Sequence, residues 1–449
     1  LTQLMDPGYT HNYYVDGSPT VVDAFFASDK KWHTVLAGGL NKGGQGIYAL
    51  DVTDPANFAA TATSAQNTVL WEFTDADDAD LGFSYSRPAI VRMHNGQWAA
   101  VFGNGYNNRD NDGNQSTTGH AVLFIVDIET GSLIRKIDTE VGSTTTPNGL
   151  ATPAVVDING DFTAEYIYAG DLQGNLWKFD VTDTDPANWD VAFKAIPNIP
   201  VPMYVARDAG GTRQPITVRP EVGRGPDGID AMVYFGTGIY LQNADLADTS
   251  AQTFYGILDN GTQLSGRGPD LATQSVIFQG AFSGIPVRAT STGGAGARGW
   301  LMDLPDTGER SVSVPILRAG RIIFVTIIPD SNVCNSGGNS WLMELDGLTG
   351  SRLAESPFDL DGDGNFTIAD YVTVVVNYDI NNDGVIDSND TDTIPVSGKG
   401  FGALVPTPGI LSNVTTEFKY TPNSAGGLEV TRENPGPTAV GRQSWGQLR

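Results

Sequence analysis

Short apolar runs alternate with polar, glycine-rich turns along most of this chain, and the same phrases return in the same order. A Pro-containing strand entry recurs as SPTVVD (18–23), RPAIVR (87–92), TPAVVD (152–157) and RPEVGR (219–224). A strand ending in small residues follows it: TVLAGG (34–39), AVFGNG (100–105), YIYAGD (166–171) and VYFGTG (233–238). A third phrase, an aliphatic strand closed by Asp and a polar turn, reads IYALDVTDP (47–55), LFIVDIETG (123–131), LWKFDVTDT (176–184) and WLMELDGLTG (341–350), with a weaker copy in FYGILDNGT (254–262). Apolar runs of this length, bounded by Gly, Asn and Asp, predict strands and tight turns.

Units begin near residues 18, 87, 152 and 219, a period of about 65–70 that exceeds the ~40–50 residues of compact propeller blades and so requires long loops. Repeated antiparallel sheets that bury their faces against their neighbours make a β-propeller. The expectation is an all-β, modified β-propeller of six to eight blades, seven as the central count, running through residues 1–449. Ser313–Ile328 with Trp341–Asp346 supplies a further blade, and Val69–Phe73 and Val276–Phe278 read as outer strands. Trp71, Trp98, Trp177, Trp300 and Trp341 fall in strand contexts and are assigned to the core between blades rather than to a binding face.

The pattern breaks at Ser356-Pro357, and residues 356–393 read as an insertion. Strand-and-turn resumes at Gly398–Leu404, Gly409–Asn413, Glu417–Tyr420 and Leu428–Thr431.

Composition narrows the partners. The 449 residues include 54 Gly and only 17% charged residues, which suits frequent turns and little helical surface. Lys+Arg number 26 against Asp+Glu 52, a formal net charge of -26. Nucleic acid is excluded as a partner, since phosphates need clustered basic residues, and tight docking on anionic lipid is disfavoured for the same reason. No apolar run reaches the ~18 residues of a membrane-spanning helix. The lone Cys334 leaves no intrachain disulfide. The abrupt start at Leu1-Thr2-Gln3 fits a C-terminal piece of something longer.

Three acidic loops carry the candidate chemistry. Asp157, Asn159, Asp161, Thr163 and Glu165 place oxygen-bearing side chains on alternate residues between two predicted strands. Such alternation in a tight loop converges on one point, as a hard cation like Ca²⁺ requires. The insertion holds two more loops, and these follow the twelve-residue EF-hand pattern. The first has Asp359, Asp361, Asp363, Gly364, Asn365, Phe366 and Asp370; the second has Asp379, Asn381, Asp383, Gly384, Val385, Ile386 and Asp390. Positions 1, 3 and 5 supply ligands, Gly at 6 permits the sharp turn, position 7 offers its carbonyl and an apolar residue at 8 anchors the loop. Position 12 is Asp in both rather than the longer Glu. Tandem loops also resemble dockerin modules, though the β-branched link YVTVVVNY disfavours a helix there. With so many carboxylates nearby, the link Tyr371–Tyr378 is expected to order only when the loops close around cations.

No catalytic constellation stands out: neither G-x-S-x-G nor H-E-x-x-H occurs, and His11, His33, His94 and His120 are scattered. Gly43-Gly44-Gln45-Gly46 precedes a strand rather than a helix, which argues against a phosphate cradle. His33, beside Trp32, reads as a packed or hydrogen-bonded histidine. The Asp-x-x-Thr-Gly phrase is similar to repeats of quinoprotein dehydrogenases, which keeps an enzyme as an alternative, but the adjacent cysteines common there are missing. The chain is therefore read as a non-enzyme.

HNYYVDGSPTVVDAFF (11–26), KWHTVLAGGLNKGGQGIYALDVTDP (31–55), FGNGYN (102–107), YAGDLQGNLWKFDV (168–181) and GRQSWGQL (441–448), as an ordered set, resemble the C-terminal domain of the PilC/PilY family. These are tip-associated proteins of bacterial type IV pili. The resemblance implies a modified β-propeller with a calcium site of the form D-x-D-x-D-x-x-x-D before the YAGD strand. Carried over, that site is Asp157, Asn159, Asp161, Thr163 through its carbonyl, and Glu165. Asn159 and Glu165 stand where the family usually has Asp. The resemblance further implies an extracellular location at the pilus tip, and roles in pilus assembly, extension–retraction balance, adhesion and twitching motility. Its implied partners are minor pilins and a host or abiotic surface receptor. The competing reading is a secreted propeller lectin or matrix-binding protein.

Overall fold

The computed structural model describes residues 11–59, 61–330, 337–375, 387–413, 415–436 and 444–445, with Met5, Gly8, Tyr9, Asn332, Ile380 and Val385 as isolated positions. Strands make up 43% of the chain and helix 6%, which settles the all-β class. The chain divides into two compact units, the first within residues 1–203 and the second within 204–445.

In the first unit each sequence phrase becomes a strand of a meander. Strands β1 (Thr20–Phe26), β2 (Lys31–Gly39), β3 (Gly46–Asp51) and β4 (Val69–Thr74) form one antiparallel sheet in chain order. Strands β5 (Ala89–Arg92), β6 (Trp98–Gly103), β7 (His120–Asp127) and β8 (Leu133–Gly142) form the second, and β9 (Ala154–Val156), β10 (Tyr166–Gly170), β11 (Asn175–Asp180) and β12 (Asp190–Val191) the third. As predicted, Val69–Phe73 lies in an outer strand.

The recurring Asp closes the turns. Asp51 accepts hydrogen bonds from the N–H and hydroxyl of Thr53, Asp180 from those of Thr182, and Asp127 from those of Thr130. A short acidic side chain that bonds the backbone a few residues on fixes a tight turn locally, which explains why the phrase repeats. The residue after the strand-ending glycine of the second phrase (Gly103, Gly170 or Gly236) is buried and polar in three copies. Asn104 bonds Val122 and Leu150, Asp171 bonds Asn148, Asn175 and Trp177, and Thr237 bonds Thr253. Burial is tolerated because each polar atom finds a partner on a neighbouring segment.

Tryptophan joins one sheet to the next. Trp71 donates its indole N–H to the Ile128 carbonyl (2.9 Å), and Trp300 donates to that of Gly347 (2.9 Å). The ring of Trp71 lies against Gly131, where an added Cβ would sit 2.6 Å from it, and Trp300 lies against Gly350 at 2.3 Å. Both glycines end the Asp-x-x-Thr-Gly phrase and have positive φ, so the turn and the close approach both demand glycine. Trp71, Trp177, Trp300 and Trp341 are buried as expected. Trp98 departs from expectation: it is half-buried at a surface groove. His33 is packed as predicted, stacked on Phe26 and bonded to Asp51 and Asp29.

In the second unit the fourth copy gives Glu221–Arg224, Ala231–Gly236, Thr253–Asp259 and Gly299–Asp303 as adjacent antiparallel strands. A six-stranded sheet follows, in the order Val276–Phe282, Ile285–Thr290, Gly398–Phe401, Gly338–Asp346, Arg321–Pro329, Ile316–Arg318. Gly409–Ser412, Glu417–Pro422 and Leu428–Glu433 make a three-stranded sheet. The insertion thus leaves and re-enters between two neighbouring strands of one sheet.

The first part of its link is a strand packed on the neighbouring sheet. Tyr371–Val375 pairs antiparallel with Thr391–Pro395, and Val372, Val374 and Ile394 are buried in a cluster with Phe358, Val287 and Ile323. Alternation of buried and exposed residues supplies one apolar face, and the sheet beside it supplies the core that the isolated segment lacks.

Candidate metal centre

The loop between β9 and β10 is built by its own side chains. Asp157 accepts backbone N–H groups from Gly160 (2.6 Å), Asp161 (3.2 Å) and Phe162 (3.1 Å). Asn159 Oδ1 accepts the N–H of Asp161 (2.8 Å), and Asp161 Oδ1 that of Thr163 (2.8 Å). Glu165 Oε2 closes the loop on the N–H of Ile158 (2.8 Å). The winding brings carboxylate oxygens of Asp157, Asp161 and Glu165 within 4.8 Å of one another. Asp157 and Glu165 are buried, while Asp161 faces solvent.

Carboxylates this close repel. Burial pushes the Glu165 carboxyl above the usual glutamate range, and the charges of Asp161 and Asp157 push it the same way. The amide nitrogen of Asn159 donates to Glu165 Oε1 (2.7 Å) and Asp161 Oδ2 (3.2 Å), supplying partial positive charge inside the cluster. His94, on the β5–β6 turn, places Nε2 at 3.4 Å from Glu165 Oε1, and that nitrogen is buried without a hydrogen bond. Converging hard oxygens, mutual repulsion and an orphaned buried nitrogen fit a divalent cation at this point. Asp157, Asp161 and Glu165 would hold it.

The first loop of the insertion repeats the winding. Asp359 accepts N–H groups from Gly362 (2.8 Å) and Gly364 (3.1 Å), Asp361 that of Asp363 (2.9 Å), and Asp363 that of Asn365 (2.7 Å). These are the same loop positions as in the first loop. Asp370 is buried and bonds the N–H groups of Leu360 (2.7 Å) and Thr367 (3.0 Å). Asp359, Asp361 and Asp370 converge within 4.8 Å, while Asp363 and Asn365 are exposed and stay outside that group. A counter-charge is already present: Arg432 Nη1 lies 3.6 Å from Asp359 Oδ2.

In the second insertion loop Asp379, Asn381 and Asp383 lie outside the described residues. Val385 is exposed, and buried Asp390 accepts the N–H groups of Ile380 (2.9 Å) and Asp387 (2.9 Å), positions 2 and 9 of its loop. Asp370 bonds the same two positions, so both loops are closed by the same device.

Comparison with known proteins now bears on this geometry. The family described as the PilY1 beta-propeller domain matches residues 1–279. This chain belongs to that family. It is 39% identical over 364 residues to a type IV pilus biogenesis factor PilY1 homolog of Xylella fastidiosa, covering 77% of the chain and 24% of that relative. To the PilY1 factor of Pseudomonas aeruginosa it is 36% identical over 491 residues, covering 99% of the chain and 38% of the relative. The chain therefore spans about a quarter to two-fifths of these relatives' length. The crystal structure of the Pseudomonas aeruginosa PilY1 C-terminal domain aligns with a TM-score of 0.74 at 32% identity, covering 97% of this chain and 88% of that one. The repeated sheets are accordingly those of a PilY1-type β-propeller.

Two residues at these loops escape a reading of the sequence. They are His94, beside Glu165, and Arg432, beside Asp359. Neither carries a local signal, because each reaches its loop only through the packing of distant strands.

Proposed function

We propose that this chain is the calcium-binding propeller of a type IV pilus-associated protein, acting at the cell surface. The observation that carries the reading is similarity to PilY1 factors across 99% of this chain, joined to an acidic loop whose charges call for a cation. The same similarity to pilus biogenesis factors supports a non-enzymatic role.

Calcium would bind chiefly at Asp157, Asp161 and Glu165, with Asp359, Asp361 and Asp370 as a second site. Neutralising three carboxylates on the β9–β10 connection stiffens that edge of its sheet. A propeller that changes stiffness with calcium can bias extension against retraction by altering how it engages minor pilins at the tip. Adhesion to a host or abiotic surface and support of twitching follow from that placement.

Replacing Asp157 by Ala in the full-length protein of a piliated host tests this. Surface piliation and twitching should fall together, and calorimetry on the purified chain should lose one calcium. Normal motility with unchanged stoichiometry would refute the proposal.

A further inference from the structure

A surface groove in the first unit is framed by the β1–β2, β5–β6 and β7–β8 turns and encloses about 420 Å³. Phe25 and Trp32, cross-strand partners on the outward face of β1 and β2, meet edge-to-face at 5.6 Å. Trp32 meets Trp98 of the next sheet at 5.8 Å, again edge-on. Trp32 is 58% exposed and Phe25 39%. A large aromatic left this open carries a hydration cost that packing alone does not explain. The indole N–H groups of Trp32 and Trp98 make no hydrogen bond among the described residues.

Planar polar groups stand around the aromatic platform. Glu129 uses Oε2 to accept the N–H of Ala27 (3.1 Å), which leaves Oε1 for a ligand. Gln97 donates to Asp127 Oδ2 (2.9 Å) and fixes that side of the rim. Arg92 is exposed, and its guanidinium has no ion pair or hydrogen bond among the described residues. Its carbonyl accepts the N–H of Ala164 (3.0 Å), which ties this wall to the acidic loop.

We infer that this groove binds a saccharide, with a pyranose ring stacked on Trp32. A sugar ring has an apolar C–H face that lies on an aromatic surface and a rim of hydroxyls that need paired donors and acceptors. Indole N–H, carboxylate and guanidinium supply that mixture. The volume falls in the usual range of small-ligand sites, which combine an apolar wall with few polar groups. A nucleic acid would set its phosphates against Asp127 and Glu129 in a chain of net charge -26. A purely apolar ligand would strand the polar rim without partners. The inference does not depend on calcium binding.

The purified chain is titrated with lactose, cellobiose, chitobiose and sialyllactose, read by tryptophan fluorescence and by saturation-transfer NMR. At least one probe should saturate the protein and show its ring C–H protons closest to it. Trp32→Ala should weaken that binding about two- to tenfold, the scale of one lost stacked contact. Because Trp32 is exposed, the variant should melt as wild type does. Glu129→Gln keeps the oxygen that accepts from Ala27 and should weaken binding about three- to tenfold. Failure of all four sugars to saturate the protein, or wild-type affinity in Trp32→Ala, would overturn the inference.

Discussion

Glu165→Gln should do opposite things with and without calcium. Unit charges 4.8 Å apart, the outer limit for these oxygens, repel by about 0.9 kcal/mol in bulk water and about 3.5 kcal/mol at an effective dielectric of 20. Glu165 faces two such partners, Asp157 and Asp161. Asp161 faces solvent, so the true figure lies towards the lower value, and the bond donated by Asn159 weakens when the charge goes. A net gain of about 1–2 kcal/mol for the calcium-free variant follows. For a unit of this size that raises Tm by roughly 2–8 °C in chelator. In calcium the variant has lost a charged ligand, and a 10–100-fold weaker site costs about 1.4–2.7 kcal/mol of ligand-linked stability. The advantage seen in chelator should therefore close or reverse in calcium. Differential scanning calorimetry in EGTA and in excess calcium measures both halves. A variant that melts below wild type in EGTA would show that Glu165 serves as a structural acceptor for Ile158, and the repulsion argument would fail. An unchanged calcium-induced rise in Tm would remove Glu165 from the ligand set.

Three further outcomes are expected. Because the folded Glu165 holds its proton to higher pH than the unfolded chain does, the folded state binds more protons in that interval. Calcium-free stability should thus fall as pH rises from about 4.5 through the raised value, and Glu165→Gln should flatten that slope in a Tm–pH series. Arg432→Gln removes a partly exposed cation 3.6 Å from Asp359, so calcium should bind the 359–370 loop about two- to fivefold tighter by calorimetry. Asp171→Ala strips the acceptor from the buried donors of Asn148, Asn175 and Trp177 and should cost at least about 4 kcal/mol in urea unfolding; a loss under about 1 kcal/mol would show that those donors find other partners.

Much of this molecule is local, and what is local was readable. The Pro-entry phrase became β1, β5, β9 and Glu221–Arg224 because a short apolar run between turn residues has few other uses. The Asp–Thr turns repeat because an acidic side chain bonds its own backbone wherever the phrase occurs. The windings at 157–165 and 359–370 were likewise legible, since alternate oxygen side chains close such loops from within. Tertiary structure decided the rest. Val372 and Val374 lie in a link crowded by charge along the sequence, and only the adjacent sheet supplies their core. Trp98 looked like any core tryptophan until its position opposite Trp32 put it in a groove. His94 and Arg432 sit far along the chain from the carboxylates they approach, so only the pairing and packing of strands bring those charges together. Sequence determines which groups can bond their neighbours in the chain; the assembled sheets determine which distant charges and rings must share one site.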